Sequence, residues 1–127
     1  MRILIVDDSS YICLFCRQVL SRLGNYEIVG ECHDGIEAVN QAVNFSPDLV
    51  IMDVALPRKN GLEAAELIIQ TNPNTKVLAI SAVDEDWVKD KAIESGCYAF
   101  LAKPFDHNQL IEYVEKANSE SEERKYG

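Results

Sequence analysis

Five side chains of suitable chemistry lie far apart in this chain: Asp7 and Asp8, Asp53, Ser81 and Lys103. Three are carboxylates, one is a hydroxyl and one is an ammonium. Gathered carboxylates repel, since two unit charges about 4 Å apart cost about 4 kcal/mol at an effective dielectric of about 20. Such a cluster calls for a counter-charge, and an all-oxygen donor set suits a hard cation such as Mg²⁺. That ion keeps several waters and takes one or two carboxylates, which leaves positions open to phosphate oxygens. Lys103 adds positive charge on a flexible stem, suited to an anion as a point charge. The combination is built for a phosphoryl group and makes Asp53 a candidate nucleophile.

The elements between these residues explain how they could meet. Short apolar runs at Ile3–Val6, Leu49–Met52, Val77–Ile80 and Ala99–Ala102 read as strands covered on both faces. A more polar run, Glu27–Gly30, reads as an edge strand. Helical periodicity fills the gaps. Ile12, Cys16, Val19, Leu20 and Leu23 mark a first helix; Val39, Ala42 and Val43 mark a second; Leu62, Ala65, Ile68 and Ile69 mark a third. Val88, Ala92 and Ile93 mark a fourth, and Leu110, Val114 and Ala117 a fifth. Asp34, Asn60 and Asp106 each precede a Glu or Gln by three positions, the signature of a capped helix start. Gly24 and Gly96 are expected to cap the first and fourth helices at their C-terminal ends. Prolines 47, 57, 73 and 104 all fall between elements.

Five alternations of strand and helix predict an α/β domain, a doubly wound (βα)5 three-layer sandwich with flavodoxin-like parallel strand order 2-1-3-4-5. Ligands of such sheets bind beyond the carboxyl ends of the strands. Asp7 and Asp8 follow the first strand, Asp53 ends the third, Ser81 follows the fourth and Lys103 the fifth. Each has a plainer explanation when taken alone: a turn or cap for Asp7-Asp8, a strand terminator, a loop serine, a solvated lysine. Their conjunction at four strand ends favours the chemical reading.

Composition narrows the class. The 127 residues suit one domain, and 47% hydrophobic residues suffice for one core. A net charge of −9 argues against a direct nucleic-acid surface, which needs clustered Lys and Arg. No apolar run approaches membrane-spanning length, and MRILIVDDSS lacks the features of a signal peptide. The expectation is a cytoplasmic protein. Cys13, Cys16, Cys32 and Cys97 sit in hydrophobic segments and read as small buried hydrophobes. The Cys13-x-x-Cys16 pair lacks two further zinc ligands at suitable spacing, since His33 and His107 lie elsewhere.

From Met1 to about Ala117 the chain resembles the receiver domain of two-component response regulators, particularly the single-domain CheY-like type. The resemblance rests on Ile5-Val6-Asp7-Asp8-Ser9, on Asp53-Val54-Ala55-Leu56-Pro57-Arg58-Lys59-Asn60-Gly61, on Ser81-Ala82 and on Lys103-Pro104-Phe105. It implies that Asp53 accepts phosphate from a histidine kinase, a phosphotransfer protein or a small acyl phosphate. It also implies Mg²⁺ held by Asp8, Asp53 and the backbone carbonyl of Ala55, with Asp7 acting mainly through a metal-bound water. Lys103 would contact the phosphoryl group, and its bond to Pro104 would be cis. Ser81 would reorient toward a phosphoryl oxygen and Phe100 would move inward with it. The surface of the fourth helix, fifth strand and fifth helix would then change for a downstream protein target. Lys89, Phe100, Ala102, Tyr113 and Lys116 would lie on or near that surface, although for the charges a merely solvated surface is the plainer reading. The implied product is a phosphorylation switch, monomeric or weakly dimeric, with chemotaxis among its candidate pathways. It would be no enzyme beyond transfer to, and hydrolysis from, its own aspartate. Residues 1–118 would form the receiver domain, and 119–127 a polar tail, frayed helix end or linker start.

Departures from the family pattern carry expectations of their own. Ala55 and Val83 stand two residues past Asp53 and Ser81, where neither side chain can orient an attacking water. Slow self-dephosphorylation, or dependence on a partner phosphatase, is the resulting hypothesis. Phe100 stands where many relatives carry Tyr, so the switch residue lacks a hydroxyl. Other readings fit less well. A receiver excised from a DNA-binding regulator shares every motif. A flavodoxin-like electron carrier would need a hydroxyl- and glycine-rich phosphate loop where Asp7-Asp8 stands. An aspartyl phosphatase would carry its second Asp at position 9, which is Ser9. A pseudo-receiver is opposed by the presence of all five expected site residues.

Overall fold

A computed structural model describes residues 1–54 and 61–126, with side chains described through Ser119. Five strands, β1 (Arg2–Val6), β2 (Glu27–Cys32), β3 (Leu49–Asp53), β4 (Lys76–Ser81) and β5 (Ala99–Ala102), alternate with five helices. These are α1 (Ser10–Ser21), α2 (Gly35–Phe45), α3 (Gly61–Thr71), α4 (Asp86–Glu94) and α5 (His107–Tyr126). The sheet is parallel throughout, in the order β2-β1-β3-β4-β5. The expected topology is therefore the observed one. β2, the most polar run, lies at an edge, and Val29 bulges out of its pairing with β1 between Ile3 and Leu4.

Side-chain alternation splits the core into two layers. Ile3, Ile5, Leu49, Ile51, Leu78, Ile80 and Leu101 pack against Cys13, Cys16 and Leu20 of α1 and Leu110, Val114 and Ala117 of α5. Leu4, Val6, Val50, Met52, Val77 and Ala79 pack on the other face against Ala38 and Ala42 of α2, Ala64, Ala65 and Ile68 of α3, and Val88 and Ala92 of α4. Burial of this kind contributes roughly 1.5–3 kcal/mol per large aliphatic side chain.

Two apolar residues assigned to helix core faces are not covered. Val43 is 58% exposed and Ile93 48% exposed. In α2 the small pair Ala38 and Ala42 meets the sheet, and in α4 Val88 and Ala92 do. Val43 and Ile93 each follow a buried alanine and so lie about 100° round the helix from it. Helix ends follow local chemistry. Asp34 Oδ1 accepts from the Glu37 N–H at 2.8 Å. Asp106 and Gln109 form a reciprocal box, with bonds of 2.8 and 3.0 Å. Asn60 lies outside the described residues. Gly96 has φ +101° directly after the Ser95 cap of α4, whereas α1 is capped at Arg22 and Gly24, φ +73°, turns the chain two residues later. α2 ends on Ser46 in the left-handed region, φ 45°. The Arg2 guanidinium donates to the carbonyls of Phe45 and Ser46 there, and Pro47 prevents continuation.

Candidate functional site

Strand register decides which side chains share a face. Asp7 continues the alternation of Ile3 and Ile5, Asp53 that of Leu49 and Ile51, and Lys103 that of Leu101, so all three project on the α1/α5 side. Ser81 continues Val77 and Ala79, and Phe100 packs with the same α2–α4 layer. Asp7, Asp53 and Lys103 thus lie on one face at the carboxyl edge of the sheet and Ser81 on the other, the face on which Phe100 also packs.

Asp7 is fully buried and held on every side. Its N–H donates to Cys32 O at 2.9 Å, and its Oδ1 accepts from the Ser9 N–H at 2.8 Å. Its carbonyl oxygen lies 3.0 Å from His33 Nδ1 and 3.6 Å from Cys13 Sγ. Asp7 Oδ2 faces Lys103 Nζ at 2.7 Å as an ion pair, yet no hydrogen bond in good geometry reaches it among the described residues. Lys103 Nζ also donates to Asp53 Oδ2 at 3.0 Å, and Asp53 is only 6% exposed. Asp8 is exposed.

Burial pushes the Asp7 carboxyl above its usual range, and its pairing with Lys103 and the bond from the Ser9 N–H only partly oppose this. For Lys103, burial is the largest single influence and acts downward. The bonds and charges of Asp7 and Asp53 together outweigh it and leave the ammonium above its usual range.

Asp7, Asp8 and Asp53 each offer an oxygen, all within 4.8 Å of one another. Among the described residues, the Lys103 ammonium faces two of these three carboxylates, Asp7 and Asp53. Three hard oxygen donors gathered this closely fit a divalent cation.

Ser81 is fully buried at the end of β4, beside Ala102 of β5. Its Oγ accepts from the Val83 N–H at 2.9 Å, and its carbonyl from the Lys103 N–H at 2.8 Å. The Lys103–Pro104 bond is cis. Lys89 is exposed on α4, Phe100 and Ala102 are half-buried in β5, Tyr113 is half-buried on α5, and Lys116 is exposed there. Ala55 lies outside the described residues.

Residues 3–115 match the response regulator receiver domain family. The chain belongs to that family. Among relatives of this receiver, the chemotaxis protein CheY of Thermotoga maritima is 33% identical over 117 residues, 92% of this chain and 97% of that protein. The transcriptional regulatory protein PdtaR of Mycobacterium tuberculosis is 39% identical over 118 residues, 93% of this chain but 57% of that protein. The structure of a CheX–CheY–BeF3–Mg complex from Borrelia burgdorferi matches with a TM-score of 0.86 at 27% identity, covering 91% of this chain and 87% of that one.

Two further residues of the receiver, Ser9 and His33, contact Asp7 and were given no role from sequence. Ser9 both holds Asp7 and caps α1, accepting from the Ile12 N–H at 3.4 Å. Its type and place before a helical stretch carried a readable N-cap signal. His33 reaches the Asp7 carbonyl from the end of the edge strand, a long-range contact with no local signature. Trp87 stands exposed in the first turn of α4, with its indole N–H donating to the Glu85 carboxylate. Among the described residues, no helix is long and apolar enough to cross a membrane.

Proposed function

We propose that this receiver is a phosphorylation-dependent signalling switch that accepts a phosphoryl group on Asp53 with Mg²⁺. The observation that carries the reading is the single ammonium of Lys103 shared by Asp7 and Asp53 at the carboxyl edge of the sheet. Asp7, Asp8 and Asp53, with the Ala55 carbonyl, would hold Mg²⁺. The bound ion would supply charge neutralisation for phosphoryl oxygens. An Asp53 carboxylate oxygen forms the new P–O bond while the bond from phosphorus to the donor breaks, and the electron pair leaves with the donor group. Lys103 holds positive charge against the incoming phosphoryl oxygens. Ser81 turns from the Val83 N–H to a phosphoryl oxygen, Phe100 follows on the same face, and the α4-β5-α5 surface around Lys89, Ala102, Tyr113 and Lys116 is read by a protein target.

Donors would be a histidine kinase or phosphotransfer protein, acting in the cytoplasm, and the chain would act as a regulator rather than an enzyme. Residues 1–118 form the receiver unit in this reading, and 119–127 a tail or linker start. Chemotaxis is supported by the near full-length likeness to CheY. A second reading, a receiver belonging to a longer transcriptional regulator, is supported by the partial-length likeness to PdtaR. The length of the polypeptide in its source cell separates these two.

Intact mass after incubation with acetyl phosphate and Mg²⁺ tests the proposal, beside an Asp53→Asn variant and a chelated sample. One added phosphoryl group, absent from both controls, is the expected result. Addition that persists in Asp53→Asn would overturn the assignment of the acceptor.

A further inference from the structure

Gly61 begins α3 and is buried against the end of β3. A Cβ built on it would lie 2.6 Å from the Asp53 carbonyl oxygen, 2.7 Å from Val54 Cα and 3.1 Å from Val54 C. All three are backbone atoms, so no rotamer change relieves the overlap. Positive φ is confined to Gly24 and Gly96 among the described glycines, so the demand at position 61 is for space and not for backbone conformation.

Gly24, Gly30 and Gly96 differ. A Cβ at Gly30 or Gly96 would come no closer than 3.2 Å, in each case to the tip of an aliphatic side chain, Leu4 or Ile69. A Cβ at Gly24 would meet nothing within 4 Å. Of these four glycines, Gly61 is the one at which a methyl group would have to displace main chain. The main chain concerned is the peptide that carries Asp53.

We propose that Gly61 is a positioning residue for Asp53: its missing side chain lets the first turn of α3 seat on the Asp53–Val54 peptide and sets the height of the carboxylate beside Lys103. This rests on the reading of Asp53 as phosphoacceptor and metal ligand. Bringing the overlap back to ordinary contact distance moves the two segments apart by roughly 1 Å. The Val54 N–H is bonded to Ile80 O at 3.0 Å, so the strand resists the shift, and strain passes to the strand end that bears Asp53. A displacement of about 1 Å at a reacting group can lower a rate by about 100-fold.

The test compares Gly61→Ala with Gly96→Ala in the full chain. Gly96 has φ +101° and precedes β5 at the opposite edge of the sheet, so its substitution strains the fold without touching the site. Three quantities are read: thermal stability, Mg²⁺ affinity from amide chemical shifts, and the rate of phosphoryl gain from acetyl phosphate by intact mass. Gly61→Ala is expected to weaken Mg²⁺ binding roughly 10-fold and slow phosphorylation roughly 10- to 100-fold, whereas Gly96→Ala loses stability and keeps both. A folded Gly61→Ala with unchanged Mg²⁺ affinity and unmoved Asp53 and Val54 resonances overturns the proposal.

Should Gly61→Ala not fold, the wild-type amide spectrum decides. On adding Mg²⁺, Gly61 is expected to shift together with Asp53 and Val54 while Gly96 stays still, and a silent Gly61 overturns the proposal. A wild-type chain that binds Mg²⁺ but gains no phosphoryl group from either acetyl phosphate or a phosphorylated histidine kinase would sink the phosphoacceptor reading, whereas the metal affinities still decide for or against Gly61.

Discussion

Asp7 Oδ2 lies 2.7 Å from Lys103 Nζ, and the carboxylate is wholly buried while the lysine side chain keeps 15% of its exposure. The pair is asymmetric: the carboxylate cannot reach water, and the ammonium is shared with Asp53. Removing the lysine would strand a buried charge, and losses of this type run to about 3–5 kcal/mol. Lys103→Met is expected to lower metal-free stability by about that amount. Mg²⁺ should restore part of it, because a divalent cation neutralises the same carboxylates. Urea unfolding with and without Mg²⁺ measures both effects, and equal loss in the two conditions would count against a shared cation site.

Asp7 sets the acid side of the pH profile. Its folded value is raised above 3.8, so the native state binds its proton more tightly than the unfolded chain. Stability from this group therefore falls as pH rises from about 4 through the raised value, and is level beyond it. Asp7→Asn should stabilise the metal-free protein at neutral pH and lose that advantage near pH 4. Lys103 acts at the other end. Its raised value makes its contribution complete below 10.5 and lost as pH climbs through the folded value. Chemical unfolding across pH in chelator, for the wild type and Asp7→Asn, checks the sign.

Asp8 is the exposed member of the acidic trio and should separate metal binding from stability. Asp8→Asn is expected to leave the metal-free melting temperature nearly unchanged and to weaken Mg²⁺ affinity by at least tenfold, or about 1.4 kcal/mol. In the wild type, Mg²⁺ at about 100 times its dissociation constant should add about 2.7 kcal/mol of stability. Calorimetric titration and thermal melts provide the two readings.

Ser81 and Trp87 offer a reporter on the second face of the sheet. The Ser81 hydroxyl holds the Val83 N–H, and Trp87, the chain's one tryptophan, follows four residues later. Ser81→Ala should cost about 1 kcal/mol through the lost bond and change Trp87 fluorescence, with Mg²⁺ affinity unaltered. A large loss of Mg²⁺ affinity would place Ser81 within the metal site instead.

The cysteines should be inert in the native state. Burial raises Cys13 to about 11, with Glu31 adding to it, and Cys16, Cys32 and Cys97 to about 12. All four are free and buried. A thiol reagent at pH 8 should find almost none in the folded protein and four after unfolding in urea. Fast labelling of Cys13 or Cys16 in the native state would revive a redox role for that pair.

Most of the fold was legible in the chain itself. The apolar runs of β1, β3 and β4 announced buried parallel strands and the polar Glu27–Gly30 run an edge, because sheet position determines how many faces meet water. Ala99–Ala102, read as covered on both faces, is instead the other edge strand, and three of its four residues are only half-buried. Asp34 and Asp106 announced helix starts, because a cap bonds within three residues of itself. Val43 and Ile93 show the limit of periodicity. Their spacing fits an apolar helical face, but where that face stops depends on the width of the sheet beneath.

Sequence alone also determined the set of chemical groups, since the carboxyl ends of four strands could be located from residue types and spacing. Only the tertiary structure decided their partition: Asp7, Asp53 and Lys103 on the α1/α5 face, Ser81 and Phe100 on the α4 face. It also decided that one ammonium serves two carboxylates, that His33 backs Asp7 from a distant edge strand, and that Gly61 leaves room for the Asp53 peptide. The physical reason is range. Capping and amphipathicity act between residues a few positions apart, whereas ion pairing and close packing act between segments that strand register alone brings into contact.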